Sequence, residues 1–347
     1  MASLLHPPSH LTPAEALSLS QRAPAVLKSL PSRVGASALE SLVSPIESPE
    51  VWLSYENLLI SCLRTGDLES ARECVRRLVQ RFGDDNDRVM ALQGLVQEAE
   101  ANDDASLRAV LKGYDDILAK DNTNVAKTCG GADQKKPIHK RRVALLRSTG
   151  KTAEAVAGLT ALLDFSPTDA EAWAELADVY LEQGLYAQSV YALEEVLLLS
   201  PNAWNIHARL GEIEYMAAST AAGGSDAATQ KYAAESLKRF CRSVELCDDY
   251  LRGFYGLKLV TSFVLKNAGK WPRQKNDSAH SGSRDGAEDF ALPDTATVER
   301  LGQLATEKLS EIVRRYTAKE ARWSGYDAAE IAAARELLAG EAAAVVR

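Results

Sequence analysis

Along residues 170–201 the apolar side chains fall at helical spacing. Trp173, Leu176, Ala177 and Tyr180 recur at three- and four-residue steps, so they share one helix face. Gly184 follows, where a left-handed backbone conformation can end that helix. Ser189, Leu193 and Val196 form a second stripe, whose small Ser189 permits close approach, and Pro201 closes it. The pattern predicts a hairpin of two helices. One such hairpin cannot bury both of its apolar faces, so neighbours have to stack on it.

Counting Ala170 as position 1, Gly184 falls at 15, Ser189 at 20, Leu193 at 24 and Val196 at 27. This spacing, bracketed by Pro167 and Pro201, resembles the tetratricopeptide repeat, whose period is about 34 residues. Gly150 lies one period earlier, and Ala155, Leu159 and Leu162 take positions 20, 24 and 27 after it. Further back, Gly66 and Ala71 repeat positions 15 and 20, with Tyr55, Leu58 and Leu59 on the preceding helix. DRVMALQGLVQEAE and SLRAVLKGYDDILAKDN supply the pair between, with Tyr114 and Ile117 as core positions. After Pro201, AWNIHARLGEIEYM places Leu210 and Gly211 at positions 7 and 8. Its second helix, KYAAESLKRFCRSVELCDD, arrives late, and LRGFYGLKLVTSFVL opens a last, degenerate repeat. The predicted fold is an all-α tetratricopeptide-repeat solenoid over 51–266, of five repeats and a partial sixth. Trp173, Tyr180, Leu193 and Tyr114 are expected in its core.

Three stretches break the period. TCGGADQKKP (128–137) and TAAGGSDAAT (220–229) read as surface insertions, small and polar. Residues 267–297, rich in Gly, Ser and Asp, are expected to be disordered. VERLGQLATEKLSEIVRRY and AAEIAAARELLAGEAAAVV, within 298–347, read as helices that cap the array. The segment 1–50 predicts one short capping helix over TPAEALSLSQRAPAVLKSL, with Pro13 in its first turn.

Composition narrows the functional classes. A formal net charge of −8 provides no basic field for nucleic acid. Five cysteines without a CxxC pair favour a reducing compartment over a disulfide framework. No basic-then-apolar leader opens the chain, and no apolar run approaches the roughly 18 residues of a membrane span. His6 and His10 flank two prolines, and no histidine has Cys or carboxylate neighbours at ligand spacing. GxGxxG, GxxxxGK[ST] and GxSxG are absent, so neither a cofactor, a metal nor an enzyme activity is expected. KKPIHKRR (135–142) reads as the charged start of a repeat helix, in preference to a nuclear-localisation signal.

What remains is surface. Positions 2, 5, 6, 9 and 12 of the first helices face the groove of stacked hairpins, giving Glu171, Ala174, Glu175, Asp178 and Leu181 in the clearest repeat. The next repeat offers Asn205, Ala208, Arg209 and Glu212, and the preceding one Lys140, Arg141 and Ala144. Lys140, Arg141, Glu171, Glu175, Asp178, Arg209 and Glu212 are therefore the candidate partner contacts. Their sign changes from basic to acidic within one repeat. That argues against a carboxylate clamp of the co-chaperone kind, although a stand-alone peptide-binding adaptor stays open as an alternative.

WLSYE (52–56), ARECVRRLVQRFGDDNDRVMALQG, YDDILAKDNTN and KRRVALLRSTGKTAEA carry a more specific pattern. With EAWAELADVYLEQGLYAQSVYALEEVLLLSP and LRGFYGL, this set resembles the subunit 2 family of the endoplasmic reticulum membrane protein complex, over roughly residues 50–260. Gly83 departs from the family's usual proline, and the insertions at 128–137 and 267–297 lie outside its pattern. The resemblance implies a non-catalytic scaffold on the cytosolic face of the endoplasmic reticulum, peripheral through its partners. Those partners would be the cytosolic parts of membrane-embedded subunits and a second soluble subunit. The implied role is support for insertion of tail-anchored and multi-pass proteins.

Overall fold

In the computed structural model the chain describes residues 4–6, 11–29, 49–123, 135–220, 226–269, 271, 292–321, 323 and 325–345. Among these every regular element is an α-helix. The helices gather into two compact units, Met1–Pro167 and Thr168–Arg347. The division falls inside the expected 51–266 array, just before the hairpin on which the repeat register was set.

The first unit holds α1 (Pro13–Ser20), α2 (Ala23–Ser29), α3 (Pro49–Thr65), α4 (Leu68–Phe82), α5 (Asp87–Glu100), α6 (Asp104–Thr123), α7 (Lys136–Ser148) and α8 (Thr152–Phe165). Helices α3 and α4 pair, as do α7 and α8, and α1 and α2 lie on the first of these hairpins. Tyr55, Leu58, Leu59 and Ala71 are fully buried between α3 and α4, as their repeat positions predict, and Cys62 and Cys74 are buried with them. Ala155, Leu159 and Leu162 are likewise fully buried on α8, and Tyr114 is buried on α6.

The second unit holds α9 (Ala170–Glu182), α10 (Tyr186–Leu199), α11 (Trp204–Thr220), α12 (Asp226–Leu246), α13 (Leu251–Asn267), α14 (Thr295–Thr317) and α15 (Ala328–Val345). Consecutive helices pack on one another throughout. Ser189 Oγ donates to the Ala177 carbonyl at 2.8 Å, and Ser236 Oγ to the Gly211 carbonyl at 2.7 Å. Both serines are fully buried, and both tie position 20 to position 8 of its hairpin. The second bond shows that α12 keeps the repeat register across the late connection.

The glycines at position 15 end α3, α7 and α9 as expected, with φ of 78° at Gly66, 75° at Gly150 and 71° at Gly184. Each is followed by the same long-range turn bond. Asp67, Lys151 and Leu185 donate their backbone N–H groups to the carbonyls of Cys62, Leu146 and Tyr180, all at 2.9 Å. This satisfies helix-end carbonyls that would otherwise need water.

Several boundaries differ from expectation. The N-terminal helix is two helices, because Pro24 has no N–H for a continuous helix and its ring would clash with the preceding turn. Pro49 and Glu50 already belong to α3. Lys136 and Pro137 form the first turn of α7, where proline is tolerated, so the break expected at 128–137 ends earlier; 128–134 lie outside the described residues. Thr220 ends α11 and Asp226 begins α12, which narrows the 220–229 insertion to 221–225, also outside them. The disorder expected for 267–297 does not hold at its ends. Trp271 is buried, its ring centroid 6.1 Å from that of Phe263, and α14 starts at Thr295; residues 272–291 lie outside the described residues.

Trp173 and Tyr180 also depart from expectation, being half-buried. The α9–α10 contact is closed by Ala177, Ser189, Ala192 and Leu193, so the larger rings lie on its flank. Trp173 meets Tyr191 edge-on there at 6.2 Å.

One buried cation fastens the N-terminal helices. Arg77 on α4 donates at 2.7 Å to Tyr55 Oη, to the Leu27 carbonyl of α2 and to Glu73 Oε1. Its side chain is only 9% exposed. Arg77→Ala strands the Tyr55 hydroxyl and the Leu27 carbonyl, so a loss of about 2–3 kcal/mol is expected in urea denaturation. Amide exchange should show α2 losing protection first; unchanged protection there would separate Arg77 from the docking of α2.

Candidate functional site

The residues predicted to face a groove divide between the two units. In the first, Lys140 and Arg141 lie on α7, half-buried. Arg141 turns inward and pairs with Glu98 of α5, its Nε 3.3 Å from Oε1. Tyr114 Oη of α6 donates to the same carboxylate at 2.6 Å. Arg141 therefore pins three helices together. Burial and the Glu98 carboxylate push the Tyr114 phenol well above its ordinary range.

In the second unit three predicted residues come together. Arg209 on α11 reaches Asp178 Oδ1 of α9 at 3.1 Å through Nη2. Through Nη1 it reaches Glu212 Oε2 at 2.7 Å. The three side chains are 36%, 48% and 51% exposed, so this triad contributes little stability by itself. Its effect is positional: one guanidinium is held between two carboxylates, fixing a patterned surface across α9 and α11. Glu171 and Glu175 lie two turns and one turn before Asp178 on the same helix, the first exposed and the second half-buried.

Beside the triad a groove of about 360 Å³ opens between α11, α13 and α15. Arg209 and Glu212 stand on its α11 rim, and Arg252 and Glu330 pair across its other side at 2.6 Å. The floor is apolar. The Gly256 backbone lies directly on the Phe240 ring of α12, which is buried beneath the groove beside Leu251 and Ala208. Tyr215, Tyr250 and Tyr255 line its walls.

The sequence reading missed these tyrosines together with Arg252 and Glu330. A signal was present for most of them. Arg252, Tyr255, Gly256 and Leu259 on α13 repeat the spacing of Asn205, Ala208, Arg209 and Glu212 on α11, and Tyr215 occupies position 12. Glu330 has no such signal, since α15 lies beyond the last repeat. Among the described residues no group of His, Cys, Asp and Glu is arranged to hold a metal ion.

Comparison with known proteins places this geometry in context. The EMC2 TPR-like repeat domain family matches residues 130–225. The TPR repeat protein oca3 of Schizosaccharomyces pombe is 32% identical over 259 residues, covering 75% of this chain and 82% of that protein. ER membrane protein complex subunit 2-B of Xenopus laevis is 28% identical over 263 residues, 76% of each chain. Among solved structures, the C-terminal part of a TPR repeat-containing protein from Cytophaga hutchinsonii superposes with a TM-score of 0.45 at 11% identity, covering 91% of this chain and 100% of that one.

Proposed function

We propose a scaffolding role on the premise that this chain belongs to the family of ER membrane protein complex subunit 2. The role is non-catalytic. The chain holds cytosolic segments of membrane-embedded subunits and a second soluble subunit, and so supports insertion of tail-anchored and multi-pass proteins. No helix among the described residues is long and apolar enough to cross a membrane, which suits attachment to the cytosolic face through partners.

The observation that carries this reading is the fixed charge pattern of Asp178, Arg209 and Glu212 beside an apolar groove. Alternating signs on a helix face favour one partner register over its neighbours, because a shifted partner meets like charges. Glu171 and Glu175 extend that pattern on α9, and Lys140 and Arg141 are its counterparts in the first unit. Arg141 serves it indirectly, by holding α7 in place.

The test is charge reversal. Glu175→Lys combined with Asp178→Lys is expected to reduce co-purification of membrane subunits from mild-detergent extracts by about tenfold, while the chain remains folded. Undiminished recovery would remove this surface from the interface. Recovery of soluble chaperones alone, from the unmodified chain, would return the protein to the free-adaptor class.

A further inference from the structure

We propose that the groove face of α3 is a seat for a short aliphatic peptide segment, and that the chain's own Leu4–His6 is its resident occupant, which a partner's segment displaces. The proposal rests on the partner-binding reading of the groove and names a regulation of it in the first unit.

The occupant is in place. Asn57 Nδ2 donates to the Leu4 carbonyl at 2.6 Å, across 53 residues of chain. The Leu4 side chain packs on the core of the first unit. Leu4–His6 form no helix. A carbonyl inside a helix is already engaged by the N–H four residues on, whereas this one is open to a side-chain donor. Asn57 therefore reads backbone, and it suits a segment that arrives with a free carbonyl.

The seat is longer than its occupant. Counted back from Gly66 at position 15, Leu53, Asn57 and Ile60 take positions 2, 6 and 9 on one face of α3. Leu53 and Ile60 stay 38% and 40% exposed with Leu4–His6 in place. The strip between them runs about 10 Å along the helix, the reach of about three extended residues.

The chemistry of the strip selects what it takes. Glu56, the neighbouring groove residue at position 5, is engaged by Arg88 of α5 at 2.6 Å. The strip thus presents two aliphatic side chains and an amide donor, beside a carboxylate already compensated. A charged side chain laid on Leu53 or Ile60 would lose water and gain no partner. An aliphatic one gains by leaving water. The matching ligand is neutral and non-helical, with side chains like those of Leu4 and Leu5. The Asn57 bond and the half-buried Leu4 side chain each contribute a factor of about ten or less. A segment held on that scale gives way to a competitor of the same make, because its advantage is local concentration.

The test uses the full chain and fluorescence anisotropy with a labelled peptide of its own residues 2–10, ASLLHPPSH. The intact chain is expected to bind it weakly, since the seat is filled. Leu4→Ser with Leu5→Ser in the chain should tighten binding about tenfold. Asn57→Asp added to that variant keeps the size of the amide, removes its donor, and should weaken binding about fivefold. A companion peptide with both leucines replaced by Ser should not bind. Should the double serine variant melt earlier, Leu4→Ala alone keeps the backbone contact and should tighten binding about threefold.

Equal binding by the intact chain and the leucine variants, or undiminished binding after Asn57→Asp, overturns the proposal. So does a dimer of the intact chain that the leucine variants lose in light scattering, since the segment would then belong to a second copy. Displacement is read by co-purification: the leucine variants should raise recovery of membrane subunits about threefold, and unchanged recovery removes the regulation. The scaffold reading fails separately, when the Glu175/Asp178 reversal retains those subunits.

Discussion

Replacing Phe240 by alanine is expected to destabilise the second unit by about 3–5 kcal/mol, the cost of emptying a buried aromatic site. Adding one methyl group opposite it, through Gly256→Ala, should cost about 1–3 kcal/mol. The Phe240 ring lies between the backbones of α11 and α13. A Cβ on Gly256 would stand 2.0 Å from its edge, and a Cβ on Gly211 would stand 2.9 Å from the other face. The ring cannot retreat from one helix without meeting the other. Phe240→Leu with Gly256→Ala should therefore recover part of the loss, with a coupling above about 1 kcal/mol in a double-mutant cycle. Strict additivity in urea denaturation would show that the ring is not wedged.

The first unit contains the same device, where a Cβ on Gly94 would come within 2.0 Å of Tyr114 Oη. There the ring's hydroxyl is bonded to Glu98, so displacing it also disturbs the Arg141 pair.

These positions show what the sequence could and could not reveal. Phe240 falls at position 24, the core position held by Leu159 and Leu193, so its burial follows from the repeat once α12 is in register. The register itself was legible through Ser236, which stands to Gly211 as Ser189 stands to Ala177. The glycine seats were not legible. Close approach of a backbone to a ring depends on how three helices converge, and a repeat pattern carries only the spacing within each. The groove was half-legible for the same reason. Its α11 and α13 walls follow the groove positions, whereas its third wall comes from α15, outside the repeat. Charge was legible in sign and order but not in pairing: nothing in the spacing revealed Glu98 as the partner of Arg141.

Glu214 occupies position 11, held by apolar or aromatic side chains in Cys62 and Tyr180, and the structure buries it to 3% exposure. Its surroundings do not compensate. Arg239 of α12 is engaged by Glu194 of α10 and leaves its Nε 3.9 Å from Glu214 Oε1. Glu214 Oε2 has no hydrogen-bond partner among the described residues. Arg239 draws the carboxyl down more than any other charge, Glu235 and Glu194 add repulsion, and Lys238 adds a weaker attraction. Burial dominates and pushes the carboxyl up to about 8.

The consequence for stability has a definite sign. Below the unfolded value of about 4.3 both states hold the proton and nothing is lost. Between that pH and about 8 the unfolded chain ionises while the folded chain stays protonated, so stability falls as pH rises. Above about 8 the loss is complete, on the order of 3–5 kcal/mol. Glu214→Gln keeps the neutral shape of the protonated acid and has no proton to lose. It should match the original chain near pH 4.5, and above pH 8 it should exceed it by about 3 kcal/mol or more, a melting difference of several degrees. If the two melting profiles run parallel across that window, or if glutamine destabilises the chain at pH 8.5, then Glu214 is held as a charged partner of Arg239. In that event the ion pair at 3.9 Å, and not burial, decides the state of this site.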